Sequence, residues 1–411
     1  MSYRVAVTGV GVVTPIGIGV RAFWTNLLAG DVGVRSIRCF DPGAFSSRIA
    51  AEVRDFDARD FMAARRVQRT ERFAQFAVSA ARLAVDDAAF PLDGARHDIG
   101  VFVGSALGGL AFAEEQHDRY RRGGIRAVKP LLAVSVFAGA ATTNIALDLD
   151  LRGPTLANAN SCAAGSVAIG EAFRAIRRGE CRAALAGGVE APLSPLVFGA
   201  FAVIRSMSTR NDEPARASRP FDRDRDGFVM AEGAGVLVLE RMDDALRRDA
   251  RIYGEVAGYG LTTDAYHMTA PRPDGTCLAR AIDGALAEAN MDACEVELVD
   301  AHGSATVLND KTETIALERA LGSRARTVPV TATKGQHGHA LGATGAWEAA
   351  VALLALQDGR VPRVVNLENR DDACALACVD ATKPLDPANA VSTSAGFGGI
   401  NAALVFRRAE G

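Results

Sequence analysis

The sequence predicts an α/β protein built from two similar halves, with a mainly parallel sheet flanked by helices. Short β-rich runs alternate with alanine-rich runs of helical character along the chain, and this alternation is typical of sheets whose strands are joined through helices. The same style returns in the second half of the 411 residues. A chain of this length is large enough for two domains or for one duplicated architecture.

Each predicted element follows from the spacing of apolar residues. In the first half, strands are predicted at residues 5–13 and 99–103, and helices near residues 21–29 and 69–88. In the second half, strands are predicted at residues 296–300, 328–332 and 402–406, and helices near residues 312–320 and 346–357. The sequence shows no short tandem repeat, low-complexity tract or obvious linker. We expect the two halves to pack together.

The composition is that of an ordinary globular protein, with 49% hydrophobic and 23% charged residues. The net charge of -3 comes without a basic stripe, so neither nucleic acid nor a membrane surface is an expected partner. No apolar stretch approaches the roughly 20 residues of a membrane helix, and the N-terminus lacks the features of a signal peptide. Seven scattered cysteines lack the paired spacing of a zinc site and should be reduced thiols. We therefore expect a cytoplasmic protein.

Two ligand-binding motifs begin in the sequence but are not completed. Residues 9–11 follow a strand like the start of a dinucleotide fingerprint, yet Thr14 stands at the third glycine position. Residues 222–227 imitate the opening of a calcium loop, but its twelfth position is Gly233 instead of glutamate. The acidic segment is better explained as a charged turn before a buried run at residues 228–230. No phosphate-binding Gly-Lys-Ser/Thr sequence is present.

Cys162 is predicted to lie at the N-terminal end of a helix that stops near Gly179. Apolar residues recur on one helical face after it, at Ile169, Ala172, Phe173 and Ile176. Free backbone N–H groups and the macrodipole at such a position favour a thiolate and lower the thiol pKa, as a nucleophile requires. The alternative for any free cysteine is a small buried hydrophobic residue. We expect that alternative for the other six, which are Cys39, Cys181, Cys277, Cys294, Cys374 and Cys378.

Three further segments carry the other candidate residues. Three of the six histidines fall within residues 301–313 and 334–343. The first of these segments follows the predicted strand that ends at Asp300, and loops at strand ends are where α/β proteins assemble their sites. Residues 394–401 form a glycine-rich turn beside Phe397. Such a turn lets the backbone approach a ligand closely, although it could equally be a simple tight turn.

Together these four segments resemble the elongating β-ketoacyl-acyl-carrier-protein synthases, specifically the type II branch and its relatives in type II polyketide synthesis. The likeness extends to residues 208–212, 225–229 and 264–269. A Cys-His-His set separates these enzymes from the initiating synthases, which use Cys-His-Asn, and from thiolases with a second catalytic cysteine. The resemblance implies a thiolase-like fold with a duplicated, five-layered α-β-α-β-α architecture. Its N-terminal half, residues 1–250, would carry the cysteine, and residues 251–411 the two histidines.

The resemblance also implies a mechanism of decarboxylative Claisen condensation. Cys162 would take an acyl group from the phosphopantetheine thioester of an acyl carrier protein. Loss of carbon dioxide from malonyl-carrier would then give an enolate, and His302 and His339 would donate hydrogen bonds to its oxygen. The carbanion would attack the thioester on Cys162, whose oxyanion would be held by the backbone N–H groups of Cys162 and Phe397.

The family pattern assigns supporting roles to four charged residues. Lys334 should be buried with Glu313 as its counter-ion, with Asp310 as the second choice. A structural ion pair and a direct catalytic role are both open for Lys334. Glu348 should support the helix of His339.

The family pattern further implies contacts with the substrate. Residues matched to substrate-binding positions are Ser304, Thr306, Leu107, Phe201 and Thr269. The hydroxyls of Ser304 and Thr306 would hold the phosphopantetheine arm. Phe397 would act as a gate with residues 264–269 as its moving partner. Leu107 would form the floor of the acyl pocket at a subunit interface.

Two departures from the family pattern stand close to the site. His337 replaces a usual Thr or Ser and would place another imidazole beside His339. Ala395 occupies a position that is often Phe in fatty-acid enzymes, and a small residue there is similar to polyketide members. The resemblance implies no cofactor beyond the carrier-borne phosphopantetheine. It also implies a homodimer, or a heterodimer with a ketosynthase-like partner.

Three competing interpretations are weighed. The chain-length partner subunit of type II polyketide synthases shares the fold but lacks the nucleophile, so Cys162 argues against it, although this chain could be the active subunit beside such a partner. A degradative thiolase would need a second catalytic cysteine motif near Phe397. The third alternative is a repurposed acyltransferase or hydrolase of the same fold, which the unusual His337 weakly supports.

Overall fold

The computed structural model describes residues 2–92 and 96–409 of the chain. The strands in this part of the chain are β1 (Val5–Thr14), β2 (Gly17–Ile18), β3 (Arg35–Ser36), β4 (Ile49–Ala50), β5 (Ile99–Gly104), β6 (Thr155–Asn158), β7 (Ala183–Glu190), β8 (Gly233–Arg241), β9 (Gly254–Thr263), β10 (Leu298–Asp300), β11 (Pro329–Thr331), β12 (Arg360–Val361), β13 (Ala377–Cys378), β14 (Lys383–Pro384), β15 (Asn389–Gly396) and β16 (Ile400–Arg407). The α-helices are α1 (Val20–Ala29), α2 (Ala64–Val67), α3 (Arg72–Asp87), α4 (Leu110–Gly123), α5 (Leu132–Ser135), α6 (Gly139–Leu149), α7 (Ala164–Arg177), α8 (Pro195–Val203), α9 (Met242–Arg247), α10 (Thr276–Glu288), α11 (Val307–Leu321), α12 (Lys334–His337) and α13 (Thr344–Asp358).

Every element predicted from the sequence is present, and the differences lie at the ends. Helix α11 begins at Val307, five residues before the predicted start at Thr312. The reason is a cap, because the Thr306 hydroxyl accepts a hydrogen bond from the backbone N–H of Asn309. Strands β10 and β11 are each shorter than predicted. The spacing of apolar residues therefore predicted the position of each helix and strand, and a capping residue set the start of α11.

The main sheet repeats one strand order twice. Its first half runs β6-β5-β7-β8-β1 and its second half runs β11-β10-β15-β16-β9, with β1 and β9 paired at the junction. Corresponding pairs also share their direction, since β5/β7 and β10/β15 are parallel whereas β7/β8 and β15/β16 are antiparallel. The fold is therefore duplicated. We propose that the halves divide at residue 250, between α9 and β9.

The prediction of a mainly parallel sheet is wrong, because the sheet is mixed. Strand β1 is antiparallel to β8 and to β9, and β16 is antiparallel to both of its neighbours. Part of the reason is local. The turn at residues 397–399 joins β15 directly to β16, and strands joined by so short a connection can only pair antiparallel.

Helices cover both halves of the sheet and fill the space between them. Helices α3 and α6 pack on the outer face of the first half, and α10 and α11 lie on the outer side of the second. Helices α7 and α13 contact each other and strands of both halves. These contacts give the five α-β-α-β-α layers. The largest buried cluster, which includes Phe173, Tyr259 and Trp347, surrounds the two central helices.

Three glycines allow the two halves to pack closely against each other at the central layer. A Cβ on Gly188 of β7 would lie 2.2 Å from the carbonyl oxygen of Gly342, and a Cβ on Gly165 of α7 would lie 2.8 Å from the same atom. A Cβ on Gly342 would meet the Ala106 nitrogen at 2.7 Å. Real Cβ atoms do not approach backbone this closely, so hydrogen is required at these positions.

Replacing Gly188 with Ala should lower the free energy of unfolding by about 3 kcal/mol, since the added methyl forces the two halves apart. Gly284→Ala is the matched control, because that residue is exposed on α10 and its Cβ would meet only the Gly260 Cα at 3.8 Å. The control should be neutral or slightly stabilising. Urea denaturation measures both, and an equal effect of the two changes would contradict the close contact.

Candidate active site

Cys162 lies at the start of central helix α7, as predicted. It belongs to a 3₁₀ turn at Ser161–Ala163 that continues directly into the helix, and Gly179 ends that helix in a left-handed conformation. Ser161 adopts a φ of 52°, which is unusual for a residue with a side chain. The turn thus aims a largely buried thiol, 7% exposed, at the seam between the two halves.

The predicted direction of the Cys162 pKa is wrong. Burial raises the pKa of this thiol to about 11, because a thiolate loses its hydration inside the protein. The Ser161 hydroxyl, the Phe397 backbone N–H and the charge of Lys334 act in the opposite direction but do not overcome burial. The direction of the Cys162 pKa is therefore set by desolvation, opposite to the lowering expected for a helix N-terminus, and burial favours the protonated thiol.

His302 and His339 come from the second half and face each other. His302 follows β10, and His339 stands between α12 and a 3₁₀ turn at Leu341–Ala343. Their rings meet edge to face with centroids 5.3 Å apart. The Leu341–Ala343 turn packs against the turn that carries Cys162. The predicted Cys-His-His set is therefore assembled in one place.

Both imidazoles are held in the neutral form. His302 and His339 are each 3% exposed. Burial, followed by the positive charge of Lys334, lowers the pKa of each ring well below its ordinary value. A neutral imidazole carries one N–H donor and one acceptor nitrogen, so their neighbours decide which nitrogen holds the proton.

The structure contradicts the prediction that Glu313 is the counter-ion of Lys334. The Lys334 ammonium forms a short ion pair with Glu348, which reaches it from α13. It also donates to the carbonyl oxygen of His302 and lies 3.3 Å from that residue's Nδ1. Glu348, which was predicted to support the helix of His339, contacts Lys334 at the start of α12, the short helix directly before His339. Helix α13 brings Glu348 to the lysine, a contact that sequence spacing does not reveal.

Glu313 instead holds the loop of His302 in place. Its carboxylate accepts hydrogen bonds from the backbone N–H groups of His302 at 2.7 Å and Gly303 at 2.8 Å, and from the Thr393 hydroxyl at 2.6 Å. Asp310, one turn earlier on α11, accepts from the Phe221 N–H at 2.7 Å and lies 3.6 Å from Arg225. Both acidic residues therefore fix backbone around the site.

His337 does not contribute to the site, contrary to the prediction that it adds an imidazole beside His339. Its ring is fully buried near the rings of Phe23 and Trp347. Its Nδ1 donates to the Gly338 carbonyl at 2.7 Å, so its Nε2 accepts from the Thr333 hydroxyl at 2.8 Å. Burial lowers its pKa to about 3. His337 is a core residue with both nitrogens satisfied.

A cavity of about 280 Å³ opens beside Cys162 and contains most of the predicted substrate contacts. Among the described residues its lining includes Cys162, His302, His339, Ser304, Thr306, Phe201, Thr269, Ala395 and Phe397. The hydroxyls of Ser304 and Thr306 lie 2.9 Å apart. Leu107 is outside this lining and packs instead in the apolar cluster that contains Cys162. Its prediction as a pocket floor at an interface stays a prediction.

The turn of Phe397 is tied to the predicted partner loop. The Gly398 N–H donates to the Met268 carbonyl at 2.7 Å, and the Asp264 N–H donates to the Gly399 carbonyl at 2.7 Å. The Phe397 ring stacks on Phe201 with centroids 6.2 Å apart. These contacts join the two loops into one unit in the lining of the cavity.

Sequence reasoning missed two residues that shape the site. Glu190, fully buried at the end of β7, accepts hydrogen bonds from the N–H groups of Leu107 at 3.1 Å and Gly342 at 3.1 Å. The Thr344 hydroxyl lies 3.1 Å from His339 Nδ1. The sequence signal for Glu190 was an acidic residue at the end of an otherwise apolar strand. The sequence carried no signal that pointed to Thr344.

Two other expectations are settled by burial. The run at residues 228–230 after the acidic segment is buried, as predicted. Cys181, Cys374 and Cys378 are buried, as expected. Cys39 and Cys294 are exposed and Cys277 is half-buried, so the expectation of a fully buried hydrophobic residue is wrong for these three. Within the described residues, no cluster of three or more His, Cys, Asp or Glu side chains could hold a metal ion. None of the described helices has the length and apolar character needed to cross a membrane.

Comparison with known proteins identifies the family. A model described as the N-terminal domain of beta-ketoacyl synthases matches residues 2–245, and one for their C-terminal domain matches residues 253–368. The chain belongs to the beta-ketoacyl synthase family. The synthase is 42% identical over 407 residues to the 3-oxoacyl-[acyl-carrier-protein] synthase 2 of Synechocystis sp., covering 98% of each chain. The Staphylococcus aureus protein of that name is 39% identical over 409 residues, covering 99% of each.

Solved structures confirm the thiolase-like fold. The ishigamide ketosynthase/chain length factor has a TM-score of 0.94 at 34% identity, with 100% of both chains covered. A type II PKS acyl-carrier protein in complex with its ketosynthase gives 0.92 at 34% identity, again covering 100% of both. The synthase is thus an acyltransferase with the architecture predicted from its sequence.

Exchanging Glu348 for Gln should lower the free energy of unfolding by about 3 kcal/mol, because it leaves the Lys334 ammonium buried without a counter-charge. The double variant Lys334→Met, Glu348→Gln should recover most of this loss in urea denaturation. The same cycle with Glu313→Gln is the control, and its coupling to Lys334 should stay below about 0.5 kcal/mol. Equal coupling in the two cycles would restore Glu313 as the counter-ion.

The rate of Cys162 alkylation by iodoacetamide should rise continuously from about pH 6 to about pH 9.5, because only the thiolate reacts. With a pKa of about 11, the thiolate fraction grows about tenfold per pH unit throughout this range. Mass spectrometry of the peptide containing Cys162 separates it from the exposed Cys39 and Cys294. A plateau near pH 8 would show that the helix terminus outweighs burial after all.

Proposed function

We propose that this synthase elongates acyl chains by decarboxylative Claisen condensation, with Cys162 carrying the acyl group and malonyl-acyl-carrier-protein as the extender. The pathway is fatty-acid or type II polyketide synthesis. The observation that carries the proposal is that two neighbouring imidazoles, whose pKa values are lowered by burial, and the buried thiol of Cys162 line one cavity. Two neighbouring N–H donors suit a developing enolate oxygen.

The neighbours of each imidazole favour the tautomer that this role needs. The Lys334 ammonium has only donors, so the His302 Nδ1 that it approaches at 3.3 Å accepts. The proton of His302 then resides on Nε2. The Thr344 hydroxyl can likewise donate to His339 Nδ1 at 3.1 Å. Both rings would therefore present Nε2–H to the enolate oxygen.

The first half-reaction transfers the acyl group without net proton exchange. The Cys162 sulfur forms a thioester with the acyl carbon as the bond to the carrier thiol breaks, and the proton of Cys162 passes to the departing thiol. The oxyanion formed on the way would be held by the backbone N–H groups of Cys162 and Phe397. Contact between the Phe397 N–H and the thiol supports this second oxyanion hole.

The second half-reaction joins the two units. Malonyl-carrier loses carbon dioxide to give the enolate, whose α-carbon attacks the thioester on Cys162. The new carbon–carbon bond forms as the bond to sulfur breaks, and the released thiolate regains a proton. Phe397 would gate entry of the second substrate, and Ser304 and Thr306 would hold its arm. In this scheme the protein needs no cofactor of its own.

We also propose acyl carrier protein as a partner and a dimer as the working assembly. One solved relative is described as a ketosynthase complex with a carrier protein, and another as a ketosynthase/chain length factor. Strand β6 lies at one end of the main sheet with Thr155, Leu156 and Ala157 exposed, so it can pair with another ketosynthase-like chain. A cytoplasmic location fits the seven free cysteines.

Intact-mass analysis tests the proposal. Incubation with acyl-carrier should add one acyl group to Cys162, and malonyl-carrier should then discharge it as a β-ketoacyl-carrier product. Cys162→Ala should abolish the adduct. His302→Ala and His339→Ala should still acylate but form product about 100-fold more slowly, the loss typical of one oxyanion donor.

His117→Ala is the control, since that histidine is exposed on α4, and it should elongate at the wild-type rate. Normal elongation by the His302 variant would overturn its role. Acylation followed by release of free acid, without a condensed product, would favour the repurposed hydrolase.

A further inference from the structure

The turn at residues 225–227 forms hydrogen bonds with the loop that carries Ser304 and Thr306. The Gly227 N–H donates to the Ala305 carbonyl at 3.2 Å. The Arg225 side chain donates through Nε to the Thr306 carbonyl at 3.3 Å and through Nη2 to the Val307 carbonyl at 3.2 Å. Three successive carbonyls are thus held by one turn.

Arg225 is itself fixed from the other side. Its side chain is only 2% exposed. Through Nη1 it donates to the Asp222 carbonyl at 2.7 Å and to the Asp371 carboxylate at 2.7 Å, and Asp310 lies 3.6 Å away. All three guanidinium nitrogens therefore have partners. A buried guanidinium with its counter-charges in place is a rigid support, because each donor direction is fixed by the planar group.

The loop at residues 304–306 has an unfavourable backbone conformation that these hydrogen bonds can stabilise. Ala305 adopts a φ of 63°, a left-handed conformation that is unfavourable for a residue with a Cβ. The conformation brings the hydroxyls on either side of Ala305 together, with Ser304 Oγ and Thr306 Oγ1 2.9 Å apart. Both residues line the cavity that leads to Cys162. Released from its carbonyl contacts, the loop would be free to relax and separate the two hydroxyls.

We propose that Arg225 is a positioning residue for substrate binding, which holds the Ser304 and Thr306 hydroxyls in register with the amide groups of the carrier-borne arm. This inference rests on the proposed function, in which the arm reaches Cys162 through this cavity. Arg225 faces the carbonyls behind the loop, and its effect is transmitted through the Thr306 and Val307 backbone. The variant should therefore bind the arm less tightly while the chemistry at Cys162 continues.

Replacing Arg225 with lysine is the informative substitution, because it keeps the positive charge but removes the planar guanidinium and its several fixed N–H donors. A Lys at position 225 can still pair with Asp371 or Asp310, yet one ammonium cannot replace three nitrogens that point to fixed acceptors. We expect Arg225→Lys to raise KM for acyl-carrier in the acylation of Cys162 about tenfold, with kcat within about twofold. Alkylation of Cys162 by iodoacetamide, which needs no arm, should be unchanged. Arg223→Lys is the matched control, since Arg223 is 66% exposed, and it should leave KM unaltered.

A double-mutant cycle connects Arg225 to the hydroxyls. If Arg225 acts through them, adding Arg225→Lys to the Ser304→Ala, Thr306→Val background should raise KM by less than about twofold. Full additivity, or equal loss in KM and in iodoacetamide reactivity, would show a general structural role and overturn the inference. Should Arg225→Lys fail to fold, Asp371→Asn replaces it as a milder release of the same guanidinium, with the same expected split and the same overturning results.

The proposed function and the positioning role of Arg225 can be refuted separately. Wild-type enzyme that takes no acyl group from the carrier thioester would refute the proposed function. Wild-type enzyme that is acylated normally, beside an Arg225→Lys variant with unchanged KM, would refute only the positioning role.

Discussion

The site depends on one buried positive charge. Lys334 is withdrawn from solvent and is tolerated there only because Glu348 and the His302 carbonyl surround its ammonium. That charge has two consequences. It adds to the effect of burial in lowering the pKa of both neighbouring imidazoles, and it makes His302 Nδ1 an acceptor. In the proposed condensation, this ion pair would help to keep two uncharged donors ready for the negative charge that develops on the enolate.

The duplicated fold brings these groups together. Helix α7 of the first half delivers the thiol, while loops of the second half deliver both imidazoles, and the two central helices set their separation. The halves approach closely because Gly165 of α7, Gly188 of β7 and Gly342 in the turn before α13 meet without side chains. Gly165 follows Cys162 and Gly342 follows His339 by three residues, so this contact helps to determine how near the thiol comes to the imidazoles.

In the proposed mechanism, helix α11 connects the loop of His302 with the hydroxyls that would bind the substrate arm. Glu313 holds the His302 loop by its backbone, and Thr306 both caps the helix and lines the cavity. Arg225 supports the same helix start from behind. Desolvation is the largest influence on all three residues of the Cys-His-His set, since it raises the pKa of Cys162 and lowers the pKa values of His302 and His339. These shifts all favour the uncharged forms of Cys162, His302 and His339.

The sequence alone determined the elements and their repeated style, because apolar spacing is a local property, and its motifs identified the Cys-His-His set through their resemblance to the elongating synthases. It failed where the outcome depends on what surrounds a residue. Burial reversed the pKa direction of Cys162, and an unforeseen neighbour, Glu348, replaced Glu313 beside Lys334. His337 stands two positions before His339 yet turns into the core. Only tertiary packing fixes desolvation and contacts between distant segments, and these decided the charge of each group and the partners that hold it.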